Sequence, residues 1–148
     1  MTAVQAVLLP VGKDLYGVPV DWVREVVTAP PLTPLVTGPE LVLGLFNLRG
    51  EIVPLLDTAA LLGLGKVGTV AFALVVQSPK GLAGLAATAF PQRALLDSLS
   101  GPSELPGTAG TYLLGRRVAV LLDPATLLAS DRLGGADLRA GDLPAGAA

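Results

Sequence analysis

The sequence predicts an all-β fold, and three features of the chain point to it. Prolines and glycines interrupt the first forty residues at nine positions, a spacing too dense for long helices. Between these breaks lie short runs of Val, Leu and Ile, whose lengths of about four to eight residues are typical of strands in a β-barrel or β-sandwich. The third feature is an internal repeat, which predicts that one β unit occurs twice.

The apolar runs mark the predicted strands in chain order. They are AVLLPV (6–11), YGVPV (16–20), REVVTA (24–29), LVLGLFNL (41–48), EIVPLL (51–56), VAFALVV (70–76), GLAGLAA (81–87) and RRVAVLLD (116–123). Asp21 is expected to cap a one-turn helix that holds Trp22 and Val23, before a strand resumes at Glu25. Residues 30–34, PPLTP, form an extended connector. GLGKVGT (63–69) lacks the spacing of a phosphate-binding loop and is predicted to be a hairpin connector.

The repeat appears when the chain is shifted by 66 residues. GLFNLRGEIVPLLDTAALL (44–62) then aligns without a gap on GTYLLGRRVAVLLDPATLL (110–128), with eight of 19 positions identical. Each copy is expected to end in a short helix, with Asp57 and Asp123 at equivalent N-cap positions and Pro124 in the first helical turn. The copies differ in their central turn, which is NLRG (47–50) in the first and LLGR (113–116) in the second. This difference favours a specific role for the first turn.

Composition excludes several classes of function. The 148 residues contain neither Cys nor His, which removes disulfides, thiolate nucleophiles, zinc fingers and imidazole bases. Ten basic against twelve acidic residues, with no basic cluster beyond Arg116 and Arg117, argue against nucleic-acid binding. The carboxylates are scattered, and no pair suggests acid–base catalysis. We therefore expect a binding protein without cofactor or metal.

Hydropathy and the N-terminal sequence bear on location. Apolar residues make up 51% of the chain, yet no apolar run approaches the roughly 18 residues that a membrane span needs. The start, MTAVQAVLL, has no basic n-region and no cleavage site, so a cytoplasmic protein is expected.

Two interpretations of the first turn remain open from the residues alone. Arg49 is either a solvated turn residue or a guanidinium displayed to a partner, since its planar fork suits a carboxylate or the end of a helix. Gly50 supplies the backbone freedom that the turn needs. Trp22 is expected to fill the core. Glu25 is either an exposed strand residue or, together with Val23, part of an exposed contact patch.

The first half of the chain resembles a known family. The landmarks are Tyr16, Val23, Glu25, Gly44, NLRG at 47–50, Pro54 and Asp57. In this order, within YGVPVDWVREVV…PLTPL…GPELVLGLFNLRGEIVPLLDTAALLG, they resemble the CheW family, the adaptor proteins of bacterial chemotaxis arrays. The resemblance covers about residues 4–64 and is specific, because NLRG and both of its flanks occur together.

The resemblance implies a fold and a function. The implied fold is two SH3-like five-stranded β-barrels packed together, with short helices. With the repeat, it gives one domain over residues 1–131, and the tail over 132–148 is expected to be flexible because it has no periodicity. The implied function is a non-enzymatic cytoplasmic scaffold that couples methyl-accepting chemotaxis receptors to a CheA-type histidine kinase. The implied receptor-binding residues are Arg49, Glu25, Val23, Asn47 and Leu48; Gly44 is the implied kinase-binding residue; Gly50, Asp57 and Asp123 are implied turn and cap residues.

The second half departs from the family pattern. The family usually carries V-D-x-V-x-x-V there, whereas this chain has GLAATAFPQRALL (84–96), with Thr88 near the position of the acid and Pro91 interrupting the run. Kinase and ring contacts of this half are therefore in question. The alternatives are an adaptor of an accessory or twitching-motility chemosensory system with altered kinase binding, and a β-barrel binding module unrelated to chemotaxis.

Overall fold

The computed structural model describes residues 3–129. The first repeat contributes β1 (Val4–Val11), β2 (Asp14–Pro19), a 3-10 helix (Val20–Trp22), β3 (Val23–Thr28), β4 (Val42–Leu48), β5 (Glu51–Leu56) and α1 (Thr58–Leu61). The second contributes β6 (Phe72–Ser78), β7 (Gly81–Ala87), β8 (Gln92–Leu96), β9 (Leu99–Gly101), β10 (Thr108–Leu114), β11 (Arg117–Leu122) and α2 (Pro124–Leu127). The predicted all-β fold is confirmed.

The strands form two sheets that exchange strands between the repeats. One sheet has the order β8-β1-β2-β11-β10-β9 and the other has the order β3-β6-β7-β5-β4. The first two strands of each repeat therefore lie in the sheet that holds the later strands of the other repeat. Neighbouring strands are antiparallel except β2 with β11 and β5 with β7, which are parallel and join the exchanged pairs to their sheets.

The two repeats have equivalent backbones in their second halves. The bounds of β10, β11 and α2 are those of β4, β5 and α1 moved by 66 residues. The Asp57 N–H donates to the Leu41 carbonyl at 2.7 Å, and the Asp123 N–H donates to the Gly107 carbonyl at 2.8 Å. The short strand β9 makes the first sheet six-stranded, whereas its counterpart in the other sheet is a single bridge between Thr33 and Leu45. Differences between equivalent side chains can therefore be compared directly.

The main core is shared by both sheets. Leu9 and Val18 from the six-stranded sheet lie in one buried cluster with Leu56 and Leu74 from the five-stranded sheet. Each such side chain contributes about 1.5–3 kcal/mol on burial, so this cluster holds the two sheets together. Trp22 is half-buried and packs against the same cluster, in agreement with its expected role as a core residue.

Three local predictions were wrong. Asp21 does not cap the 3-10 helix, because that helix begins at Val20 and includes Asp21. Pro19 holds the N-cap position, with φ −54° and no side-chain hydrogen bond. The following strand resumes at Val23 rather than Glu25. Residues 63–69 are not a hairpin connector but join α1 to β6.

The expected tail, 132–148, lies outside the described residues. Among the helices that the structure describes, none is long and apolar enough to cross a membrane.

Candidate functional site

The Arg49 turn is a two-residue hairpin with unusual backbone geometry. Leu48 pairs with Glu51, which leaves Arg49 and Gly50 as the turn, with φ of 49° and 92°. Positive φ at both central residues defines a type I′ turn, where Asn, Asp or Gly is preferred. Within residues 3–129, Arg49 is the one non-glycine residue with positive φ. This conformation costs an L-residue roughly 1–2 kcal/mol, so the arginine is retained at a cost in stability.

The second hairpin has a different two-residue turn, because only its first central residue has positive φ and Arg116, the equivalent of Gly50, does not. The residue equivalent to Arg49 is Gly115, which has φ of 60° and none of the strain. Asn47 also serves the first turn, because its Oδ1 accepts a hydrogen bond from the Gly50 N–H at 2.8 Å. The comparison therefore supports a specific role for the Arg49 side chain.

Arg49 and Glu25 form a bidentate ion pair. Arg49 Nη1 donates to Glu25 Oε2 at 3.2 Å, and Arg49 Nη2 donates to Glu25 Oε1. The hydrogen bond from Arg49 is the main reason that the pKa of Glu25 is lowered, and the same bond raises the pKa of Arg49. The side chains are 70% and 31% exposed, so the pair adds little to folding stability. It does fix the orientation of a guanidinium at the surface.

The pair still has hydrogen-bonding capacity. A guanidinium offers five N–H donors, and Glu25 accepts two hydrogen bonds from it, which leaves three donors for a partner. The site can therefore bind a carboxylate or a row of helix-end carbonyls without losing Glu25. This arrangement suits recognition rather than proton transfer.

The other predicted receptor-binding residues differ in exposure. Val23 is half-buried in β3 and packs against the main core. Leu48 is half-buried at the end of β4 and packs against the cluster that contains Phe46 and Val53. Asn47 is exposed beside the turn. The structure thus brings Arg49, Glu25 and the turn together and holds Val23 and Leu48 against the protein interior.

Gly44, the predicted kinase-binding residue, is buried in β4. A Cβ at this position would lie 2.9 Å from the Leu32 Cβ and 3.1 Å from the Thr33 carbonyl oxygen. Thr33 and Leu45 exchange two backbone hydrogen bonds, of 2.7 and 2.8 Å, which hold the connector over Gly44. Any partner of this strand would therefore contact the connector before Gly44.

The second hairpin lacks the ion pair. Val26 pairs with Leu74 as Gln92 pairs with Leu8, so the residue equivalent to Glu25 is Pro91. Arg116 and Arg117 are exposed, and neither forms an ion pair within residues 3–129. Sequence reasoning identified Arg49 and Glu25 as separate contact residues and did not identify their pairing, since nothing in the linear spacing indicates which strand lies beside the turn.

Asp57 positions the segment that follows the first barrel's hairpin. Its side chain is 3% exposed and caps α1 by accepting the Ala60 N–H at 3.0 Å. The same carboxylate accepts the Val67 N–H at 2.9 and 3.1 Å, which fastens the loop between α1 and β6. Asp123 holds the equivalent N-cap position, but within residues 3–129 its side chain accepts only from the Thr126 hydroxyl, at 2.8 Å.

Across the described part of the chain, no three His, Cys, Asp or Glu side chains lie close enough together to hold a metal ion. Every fully buried side-chain nitrogen or oxygen in residues 3–129 has a hydrogen-bond partner.

The ion pair predicts how the pKa of Glu25 depends on Arg49. We expect the Glu25 carboxyl to titrate below its ordinary value of 4.5 in the native protein and to return towards that value in an Arg49→Gln variant. Since the native pKa is below that of the unfolded chain, the pair's contribution is complete above the unfolded pKa. It is lost as pH falls through the native pKa. NMR titration of the Glu25 side-chain carboxyl measures both pKa values, and equal values in the two proteins would contradict the pairing.

Comparisons with known proteins agree with the fold. A family model described as "CheW-like domain" matches residues 5–132. The chain is 38% identical over 53 residues to "Chemotaxis protein CheW" of Treponema pallidum and 41% identical over 54 residues to "Chemotaxis protein CheW" of Rhizobium meliloti. Each match covers 36% of this chain, and the matched parts span 31% and 35% of those relatives.

A solved structure extends the likeness to the whole fold. It is the scaffolding protein TtCheW from Thermoanaerobacter tengcongensis, which aligns with a TM-score of 0.77 at 23% sequence identity. The alignment covers 93% of this chain and 98% of that one, so both sheets are matched. Because the family model spans most of the sequence and both halves share this fold, the chain belongs to the CheW-like domain family.

Proposed function

We propose that this protein is a non-enzymatic cytoplasmic scaffold that couples methyl-accepting chemotaxis receptors to a CheA-type histidine kinase. The observation that carries the proposal is the Arg49–Glu25 pair, displayed on a strained turn within the family's most specific motif. The names of the two curated relatives and of the matched structure, two chemotaxis proteins and a scaffolding protein, support the same role.

The receptor contact proposed here uses the prepared guanidinium. The helical hairpin at the receptor tip lays an apolar stripe against the groove between the barrels, while Arg49 binds a carboxylate or the carbonyl end of a helix. Because Glu25 already holds the Arg49 side chain, part of the ordering cost of about 0.5–1.5 kcal/mol per side chain is met before binding. Val23, Asn47 and Leu48 shape the surface around it.

The proposed kinase contact lies on the connector above Gly44. Leu32 and Val36 in this connector are among the exposed large hydrophobic side chains. Gly44 contributes by letting the connector approach β4 closely, since a Cβ would meet Leu32 and Thr33. The kinase therefore binds a surface whose shape depends on Gly44.

Modest affinity is sufficient for such a scaffold. A micromolar contact supplies about −8 kcal/mol. When many copies lie side by side beneath a receptor array, high effective concentration strengthens the assembly without any new contact. Neither site needs the deep pocket or the perturbed acid pair of an enzyme.

A pull-down tests the proposal. We expect the immobilised protein to retain both a methyl-accepting receptor and a CheA-type kinase from a detergent lysate of its source organism, identified by mass spectrometry. Retention of the kinase without the receptor would favour the accessory-system alternative, which the altered segment 84–96 makes worth testing. Recovery of neither partner would contradict the proposed function.

A further inference from the structure

A cavity of about 290 Å³ lies between the β1–β2 turn and the loop that joins α1 to β6. It is at the small end of the range for ligand pockets, which begins at about 300 Å³, and it suits a small molecule. None of the residues assigned above to receptor or kinase binding lines it.

The floor of the cavity carries an unsatisfied hydroxyl. Tyr16 lines the cavity and is 3% exposed, and its hydroxyl makes no hydrogen bond with any residue in 3–129. No fully buried side-chain polar atom in that range lacks a partner, so this hydroxyl keeps some contact with solvent. Burial first, and the Asp14 charge second, raise the pKa of Tyr16, which keeps the hydroxyl protonated as a donor.

Residues of both charges line the cavity. Lys13 in the β1–β2 turn and Lys66 in the α1–β6 loop are exposed residues that line the cavity from two different segments. Neither lysine forms an ion pair within the described residues. Asp14 adds one carboxylate to the same lining. A ligand with a single charge would be repelled by the residue of like charge in this lining. A ligand with both charges could pair its carboxylate with the lysines and its ammonium group with Asp14.

The remaining wall is apolar and preformed. Val11, Ala59, Leu64 and Val67 line the cavity. The Val67 N–H is fixed by the carboxylate of Asp57, so this side of the cavity exists without a ligand. An aliphatic chain of a few carbons would pack here and remove apolar surface from water.

We propose that this cavity binds a small zwitterion with an aliphatic body, of the class of the aliphatic α-amino acids. Lys13 and Lys66 bind its carboxylate together with the Tyr16 hydroxyl. Asp14 binds its ammonium group, and the apolar wall contacts its side chain. The binding is independent of the receptor and kinase contacts.

Three matched probes test the proposal by NMR titration of the full chain: norvaline, valerate, which lacks the ammonium group, and butylamine, which lacks the carboxylate. We expect norvaline to bind most tightly and to shift the amide signals of residues 11–16 and 64–68. Replacing both lysines, Lys13→Gln with Lys66→Gln, should weaken norvaline about tenfold or more. Lys80→Gln, in the β6–β7 turn away from the cavity, should leave the affinity unchanged.

Asp14→Asn gives an outcome of opposite sign for two probes. It should weaken norvaline and strengthen valerate, because the lost carboxylate attracts an ammonium group and repels a carboxylate. Tyr16→Phe should weaken norvaline and valerate alike through the lost hydrogen bond. The proposal is overturned if the three probes bind equally, if their shifts do not saturate, or if Asp14→Asn changes norvaline and valerate in the same direction.

Discussion

An Arg49→Glu variant is expected to lose most of its affinity for the cytoplasmic tip of its receptor, while the protein stays folded. The new glutamate would face Glu25 in place of a guanidinium and would repel the receptor carboxylate that Arg49 is proposed to bind. Like-charge contacts at an interface cost several kcal/mol, and we expect a loss of at least ~2 kcal/mol, or about thirtyfold in Kd. Isothermal titration calorimetry with the purified receptor tip measures this loss.

Three further variants separate recognition from structure. Arg116→Glu reverses a charge on the equivalent hairpin, where no ion pair exists, and should leave receptor affinity unchanged. Arg49→Gly removes the side chain but suits a positive φ, so it should weaken binding and leave stability equal or higher.

The double variant Glu25→Arg with Arg49→Glu restores the ion pair with its charges interchanged. The carboxylate then lies on the turn and the guanidinium on β3. It should remain defective if the guanidinium itself contacts the receptor. Wild-type affinity in Arg49→Glu would contradict the receptor assignment, and recovery in the exchanged pair would limit the ion pair to a structural role.

The strands and the repeat were predictable because they depend on local chemistry. Short β-branched and leucine runs between prolines and glycines place eight of the eleven described strands at nearly the correct residues, and β8, β9 and β10 are not among the predicted runs. Asp57 precedes its helix as capping chemistry requires. The exchange of β1 and β2 with β6 and β7 between the sheets was not predictable, because the sequence of a mostly aliphatic strand does not indicate which strands pair with it.

The same limit applies at the site. The residue types at Arg49 and Glu25 indicate function, but their contact depends on β3 and the β4–β5 hairpin lying at the two edges of one sheet and approaching each other there. Asp21 fails as a cap for a different reason, because the fixed φ of Pro19 starts the helix before it. The loop that Asp57 fastens was also missed, since its glycines suggested a hairpin.

Asp57→Ala is expected to be the most destabilising single substitution among the acidic residues of the described chain. It removes the N-cap of α1, worth about 0.5–2 kcal/mol, and leaves the part-buried Val67 N–H without its acceptor, which costs about 1–3 kcal/mol. We expect the free energy of unfolding to fall by roughly 2–4 kcal/mol in urea denaturation, with an unchanged m-value.

Asp123→Ala is the matched control, because the two residues occupy equivalent N-caps on equivalent backbones. The side chain of Asp123 accepts a hydrogen bond only from the exposed Thr126 hydroxyl, so its removal should cost less than about 1 kcal/mol. Asp57→Asn keeps one acceptor oxygen and should fall between the two. Equal losses at positions 57 and 123 would show that the second bond of Asp57, to the loop, contributes nothing. A large loss at 57 alone would mean that the repeats diverged in how they anchor the segment after the helix. Because the Arg49 turn precedes β5 and Asp57 follows it, the two residues lie at opposite ends of this strand, and the Asp57→Ala protein should still bind the receptor tip where it is folded.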